Sequence, residues 1–232
     1  MNMSTQAQVQ KILSDLKKQG SAKNRAGMSR FGIKTQSAFG VSVVWLRKYA
    51  KQYGKDHALA LALWKSAKHE ARILAAFIDE PSRVSKAQMN AWVKDFDSWD
   101  VCDQVCASLF DKTPYAFAIA LQWAKRKEEF VRRAGFALMA ALAWHHKTAE
   151  DRQFVPFLRA CIAQSGDERN FVKKAVNWAL RQIGKRNRTL HSLAIETAKI
   201  LKDSPSKSGR WIALDALREL QSPKIKARIP QS

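Results

Sequence analysis

The chain has 232 residues, 46% of them hydrophobic, enough for one large domain with a real core. With 41 Lys+Arg against 20 Asp+Glu, its formal charge is +21, which points to a polyanionic partner: nucleic acid first, with an anionic membrane surface or the ribosome as competitors. Scarce glycine (9) and proline (6) argue against turn-rich all-β folds, no apolar run is long enough to span a membrane, and three cysteines make no disulfide framework.

The N-terminus has no basic stretch followed by an apolar one, so no signal peptide is expected and the expected location is cytoplasmic. Ser4 reads as the cap of a helix from about Thr5 to Lys18, with Val9, Ile12, Leu13 and Leu16 on one face. A loop follows around Phe31-Gly32 to Phe39-Gly40. Helical patterns then recur at about 42–53, 56–66, 69–79, 86–96, 98–110, 114–126, 128–144, 149–164, 168–185, 188–202 and 208–220, punctuated by Gly54, Pro81, Pro114, Gly166 and Pro205. Alternating β patterns are missing.

Phe130-Val131-Arg132-Arg133-Ala134 returns as Phe171-Val172-Lys173-Lys174-Ala175, at an offset of 41. Val176-Asn177-Trp178-Ala179-Leu180-Arg181 returns more loosely as Ala213-Leu214-Asp215-Ala216-Leu217-Arg218, at an offset of 37. Repeats near 40 residues are the spacing of HEAT-type helix pairs. The expected fold is therefore all-α: an α-solenoid of HEAT-like helical repeats, curved, with a basic concave face. A generic helical bundle with coincidental repeats stays open. The expected organisation is one domain over 1–232, with N-terminal helices about 4–53, repeat pairs about 56–220 and a short basic tail 221–232.

In the helix near 168–185, Phe171, Val172, Ala175, Val176, Ala179 and Ile183 form an apolar stripe. Lys174, Trp178, Arg181 and Lys185 form a second stripe on another face. A tryptophan among three cations fits either a surface cation–π cluster or an aromatic face meeting a nucleotide whose phosphates its neighbours hold. Arg132 and Arg133 match Lys173 and Lys174, which suggests a basic track across the repeats; solvated surface charge is the ordinary alternative.

The helix beginning near Ser98 carries the chemistry-bearing pair. With Asp97 or Ser98 as cap, Asp100 falls in the first turn and stabilises the helix dipole. Asp103 lies beyond that turn and loses that explanation. Trp99, Asp103 and Cys106 share a face with Cys102 beside them, whereas Val101, Val105, Ser108 and Leu109 carry another. Taken singly, Trp99 could be a core aromatic and Asp103 an ion-pair partner. Cys102 and Cys106 are four apart with no His pair to complete a zinc site, so neither metal nor other cofactor is expected. Phosphate loops, dinucleotide glycine patterns and nucleophile elbows are missing, and Cys161 reads as core.

Over about 25–220 the chain resembles the AlkD-like DNA alkylation-repair glycosylases, which are built of HEAT-like repeats. The resemblance is carried by Arg30-Phe31-Gly32-Ile33, Gly40-Val41-Ser42-Val43, Ala60-Leu61-Ala62-Leu63-Trp64, His69-Glu70-Ala71-Arg72-Ile73-Leu74-Ala75, Ser98-Trp99-Asp100-Val101-Cys102-Asp103 and Lys174-Ala175-Val176-Asn177-Trp178-Ala179-Leu180-Arg181. It implies that Trp99 and Trp178 pack against the lesion-bearing nucleotide, that Asp103 is the catalytic carboxylate, and that Arg132, or Arg133 one place on, lies near the DNA backbone. It implies action on cationic N3- and N7-alkylpurines in double-stranded DNA without insertion of the base into a pocket, as a monomer.

The chemistry agrees with that resemblance. A purine such as 7-methylguanine already carries positive charge, so it departs neutral without a general acid, and the positive charge passes to the deoxyribose. Aromatic faces and a carboxylate stabilise a cation, and Asp103 can also activate the attacking water. On this reading Asp103, Trp99 and Trp178 are catalytic, and Arg132, Arg133, Lys173, Lys174, Arg181 and Lys185 hold phosphates. A non-catalytic DNA-binding module for damaged or branched DNA is the runner-up. A protein-interaction scaffold is the third class, and the +21 charge argues against it.

Overall fold

Many helices of this chain start at a Ser, Asp or Asn whose side chain accepts a first-turn N–H, and the computed structural model describes residues 3–229. They are all-α, with no strand among them. The last three residues of the expected basic tail lie outside the described residues. No helix among the described residues is long and apolar enough to cross a membrane. The chain divides into two compact units, the first ending at Thr113 and the second beginning at Pro114.

In the first unit, α1 (Thr5–Gln19) begins at Ser4, whose hydroxyl accepts the Ala7 N–H, and buries Val9, Ile12 and Leu16 at helical spacing. The next helix, α2 (Ala22–Arg30), was not expected from the sequence. It buries no residue and is held by its ends. Ser21 caps it by accepting the Asn24 N–H, and its C-terminus closes by Ile33 N–H to Met28 C=O and Gly32 N–H to Ser29 C=O. That closure needs a left-handed residue after the helix, and Gly32 supplies it at φ 74°. The expected loop follows. Helix α3 (Val43–Ala50) starts at the Ser42 cap and α4 (His57–Lys65) at the Asp56 cap.

Helix α5 (His69–Ile78) is the centre of this unit, burying every residue except Arg72 and Phe77. It packs on α3, α4 and α7 (Trp99–Ser108). Between them, α6 (Lys86–Trp92) runs on as a 3-10 turn over Val93–Asp95, so the expected 86–96 segment is helical in two pitches. Trp92 stacks on Trp64 with ring centroids 3.9 Å apart and planes 4° from parallel. Each large side chain buried here contributes roughly 1.5–3 kcal/mol.

The second unit comprises α8 (Ala116–Ala124), α9 (Glu129–His145), α10 (Val155–Gln164), α11 (Asn170–Ile183), α12 (Arg188–Lys202), α13 (Lys207–Leu220) and the single turn α14 (Pro223–Lys226). Helices α9, α11 and α13 begin at 129, 170 and 207, which reproduces the sequence offsets of 41 and 37. Helix α9 packs on α8 and α11, and α11 packs in turn on α13. All residues from Arg133 to Ala143 are buried, as a helix flanked on both sides requires. At 149–164 the helix proper starts only at Val155, after a 3-10 turn over Asp151–Gln153.

Candidate functional site

The first unit holds a cavity of about 590 Å³ lined by α2, the start of α3, His69, Ile73, Trp99 and Asp100. Ser98 is the cap residue of α7, so Trp99 is its first residue, set at the cavity wall. The Trp99 indole is half-buried, and its Nε1–H donates to the Phe31 carbonyl at 3.0 Å. Phe31 itself is 71% exposed. Asp103, one turn beyond Trp99, is half-buried, but it is not part of the cavity lining. Cys102 and Cys106 are fully buried, so the open part of this helix face ends at Asp103.

Two neighbouring carboxylates hold partners of their own. Asp95 accepts the Trp64 Nε1–H at 2.7 Å, and its backbone carbonyl accepts the Arg72 guanidinium at 3.0 Å. Asp100 lies in the first turn, as its dipole role requires, and its side chain is buried against His69, with Nε2 to Oδ2 at 2.8 Å. Burial of the His69 ring works against its charge, but the Asp100 hydrogen bond and charge, with Glu70 and Asp97 nearby, outweigh it and raise the imidazole pKa. Glu70 pins the loop that borders the cavity. Its carboxylate accepts the backbone N–H of Phe39, Gly40 and Val41 at 2.9, 2.7 and 3.1 Å. The Asn24 side chain adds a bond to the Gly40 carbonyl, joining α2 to the same loop.

Burial pushes the Cys106 thiol up and lifts the Cys161 thiol to about 12, which leaves both as poor nucleophiles and agrees with Cys161 as core. No cluster of three or more metal-ligating side chains occurs among the described residues.

In the second unit, the candidate phosphate-binding cations form links between successive repeats. Arg132 pairs with Asp167 at 2.7 Å and donates to the Arg126 carbonyl. Burial would raise the Asp167 carboxyl, but hydrogen bonds from Arg169 and Arg132 hold it down at about 2. Arg133 is buried and donates to the Phe171 carbonyl at 2.7 Å. The Lys173 ammonium lies 5.0 Å from the centroid of the Trp211 ring. Arg181 pairs with Glu219 and lies 3.5 Å from Asp215, and Lys185 reaches Glu219 at 2.6 Å. Lys174 is exposed, and Trp178 is half-buried on α11.

A family model described as DNA alkylation repair enzyme matches residues 12–220. The chain belongs to that family. Its fold is similar to a solved structure described as "a new family of proteins related to the HEAT-like repeat DNA glycosylases with affinity for branched DNA structures". The likeness covers 97% of each chain with a TM-score of 0.79 at 17% identity. A comparison with curated proteins found no match. As a DNA alkylation repair family member with an all-α, HEAT-like-repeat fold, the chain has the architecture that the repeat spacing indicated.

Sequence reasoning passed over three residues of the cavity region. His69 and Glu70 lie 30 or so residues from what they hold, so no local pattern marks them. Phe31 reads from the sequence as the start of a loop and as part of a resembling motif, although an aromatic between Arg30 and the helix-ending Gly32 is a usable signal.

Proposed function

We propose that this DNA alkylation repair protein is a monofunctional DNA glycosylase that hydrolyses the N-glycosidic bond of cationic N3- and N7-alkylated purines in duplex DNA. The observation that carries the reading is the Trp99–Asp103 pair: an aromatic and a carboxylate one turn apart on α7, both half-buried, in a chain of net charge +21. Asp103 lies beyond the first turn of α7, where the helix dipole does not account for it, and one turn from Trp99, so it is the carboxylate assigned to the reaction.

In the proposed reaction the bond from the purine nitrogen to C1′ breaks with its electron pair going to the base. The base leaves neutral, and the sugar becomes an oxocarbenium ion. Asp103 stabilises that cation across space, and the Trp99 ring face adds its quadrupole. Water then adds to C1′ and gives its proton to the Asp103 carboxylate. Since the purine is already cationic, no general acid is needed and the base need not enter a pocket. Trp178 and the cations Arg132, Lys173, Lys174, Arg181 and Lys185 are assigned to the DNA contact, with Lys174 the most exposed of the five, whereas Arg133 is buried against the Phe171 carbonyl and is left out.

The test is release of free 7-methylguanine from methylated duplex DNA, identified by mass. Asp103→Asn should still bind DNA and should slow release by about 10²–10³, the usual effect of losing one charge-stabilising group. Unchanged release by this variant refutes the mechanism. A second reading, binding of branched or damaged DNA without excision, is favoured by the description of the structurally similar protein. It requires salt-dependent binding with no free base formed.

A further inference from the structure

The cavity of the first unit shares Trp99 with the proposed hydrolysis, but Asp103 is not part of its lining and the reaction gives the rest of that lining no role. We propose that it is a recognition site for one unpaired nucleotide of a bulged or branched DNA. Its volume of about 590 Å³ suits a single nucleotide and falls in the range of ordinary ligand sites.

The chemistry of the wall is mixed in the way nucleotides require. Trp99 supplies an aromatic surface, and its orientation is fixed by the bond from its Nε1–H to the Phe31 carbonyl. Phe31 belongs to the same lining and keeps 71% of its surface exposed, with no core role to account for it. Two cations, Lys23 and Arg30, share that lining, and α2 carries a third, Arg25, with no acidic residue anywhere in the helix. An aromatic face stacks any base, and adjacent cations hold its phosphate. Deeper in, the buried His69–Asp100 pair gives the lining a polar end.

Two features favour this occupant over an apolar ligand. A helix that buries nothing is placed over the cavity and presents only positive charge among its ionisable groups. The cavity is also built from pieces that are locked before any ligand arrives: the Gly32 closure of α2, the Glu70 clamp on residues 39–41, and the bond from the Asn24 side chain to Gly40. Such preorganisation keeps the ordering cost of binding small.

This inference rests on DNA as the partner, but not on excision. Its test compares two duplexes of the same sequence, one with a single unpaired 2-aminopurine and one with that base paired. The wild-type protein should prefer the bulged duplex by about tenfold and should quench the 2-aminopurine fluorescence, as stacking on an aromatic requires. Phe31→Ala should bring the preference close to one and relieve most of the quenching. Because Phe31 is so exposed, the variant should keep its helical circular dichroism. Equal wild-type affinity for the two duplexes overturns the inference, and so does a preference that survives in Phe31→Ala. Base release from methylated DNA, run in parallel, separates the two proposals. Release without bulge preference removes only this inference, and preference without release removes only the glycosylase reading.

Discussion

Glu70 should be the most sensitive single position in the first unit. Its carboxylate is fully buried and accepts three consecutive backbone amides, from Phe39, Gly40 and Val41. Glu70→Ala leaves those three N–H groups without an acceptor, and each orphaned buried donor costs about 1–3 kcal/mol. Relief of burying a carboxylate, and water entering the vacated space, offset part of this, so a net loss of about 3–4 kcal/mol is expected. That is a large share of the roughly 5–15 kcal/mol that holds a domain together. Glu70→Gln is close to isosteric, and its single carbonyl can stand at Oε1, the atom that all three amides approach. Its loss should be about 1–2 kcal/mol. Urea unfolding gives the two free energies, and amide hydrogen exchange at residues 39–41 reports whether the loop opens. A Glu70→Ala loss below about 1 kcal/mol, or unchanged protection of those amides, would refute the assignment of Glu70 as the clamp of this loop.

The remaining predictions concern charge and packing. The raised His69 pKa means that its stabilising interaction with Asp100 is whole below the ordinary value of 6.5 and is lost as pH climbs through the folded-state value. Melting temperature should therefore fall as pH rises above 6.5, and His69→Gln should flatten the profile; a wild-type profile as flat as the variant's contradicts the pairing. Glu219→Gln removes the carboxylate partner of Lys185, while Arg181 keeps Asp215 at 3.5 Å. If Lys185 meets DNA, affinity should rise and the slope of log K against log salt should steepen by roughly 0.9 per phosphate gained, whereas an unchanged slope places Lys185 off the DNA. A Cβ added at Gly135 would stand 2.5 Å from the Ala124 nitrogen, so Gly135→Ala should force α8 from α9 and cost about 2–3 kcal/mol in urea unfolding.

The parts of the fold that rest on apolar periodicity were legible. Helices α1, α11 and α13 carry their buried residues at the spacing a helix face demands, and the 41 and 37 offsets gave the order of repeats. Helix α2 was not legible because it buries nothing; only the Ser21 cap and Gly32 announced it. In the site, Trp99 and Asp103 are four residues apart on one helix, a spacing that sequence displays directly. The His69–Asp100 bond joins α5 to α7 across 31 residues, and the Asp100 dipole role was sufficient to hide it. Arg181 was read with its own stripe. The repeat offset of 37 sets Arg218 opposite it, whereas the contacts Asn177–Asp215 and Arg181–Glu219 run at a separation of 38, one residue further on, so the alignment did not show Glu219.

In a chain with two cations for each acid, Lys and Arg are the partners a carboxylate meets by default. Around α7 several acids take other partners: Asp95 an indole N–H, with the Arg72 guanidinium further off at 4.0 Å, Asp100 an imidazole, and Glu70 three backbone amides. These bonds fix positions rather than neutralise charge. They also form a sequence of supports. Glu70 holds residues 39–41, Asn24 couples that loop to α2, the end of α2 presents the Phe31 carbonyl, and that carbonyl orients Trp99. A reaction that depends on one aromatic face needs that face held to within a fraction of an ångström. Glu70→Ala should therefore weaken DNA function even in molecules that remain folded, although Glu70 lies buried and away from any DNA. The same defect should be largely absent in Glu70→Gln, because the carbonyl at Oε1 preserves the first link.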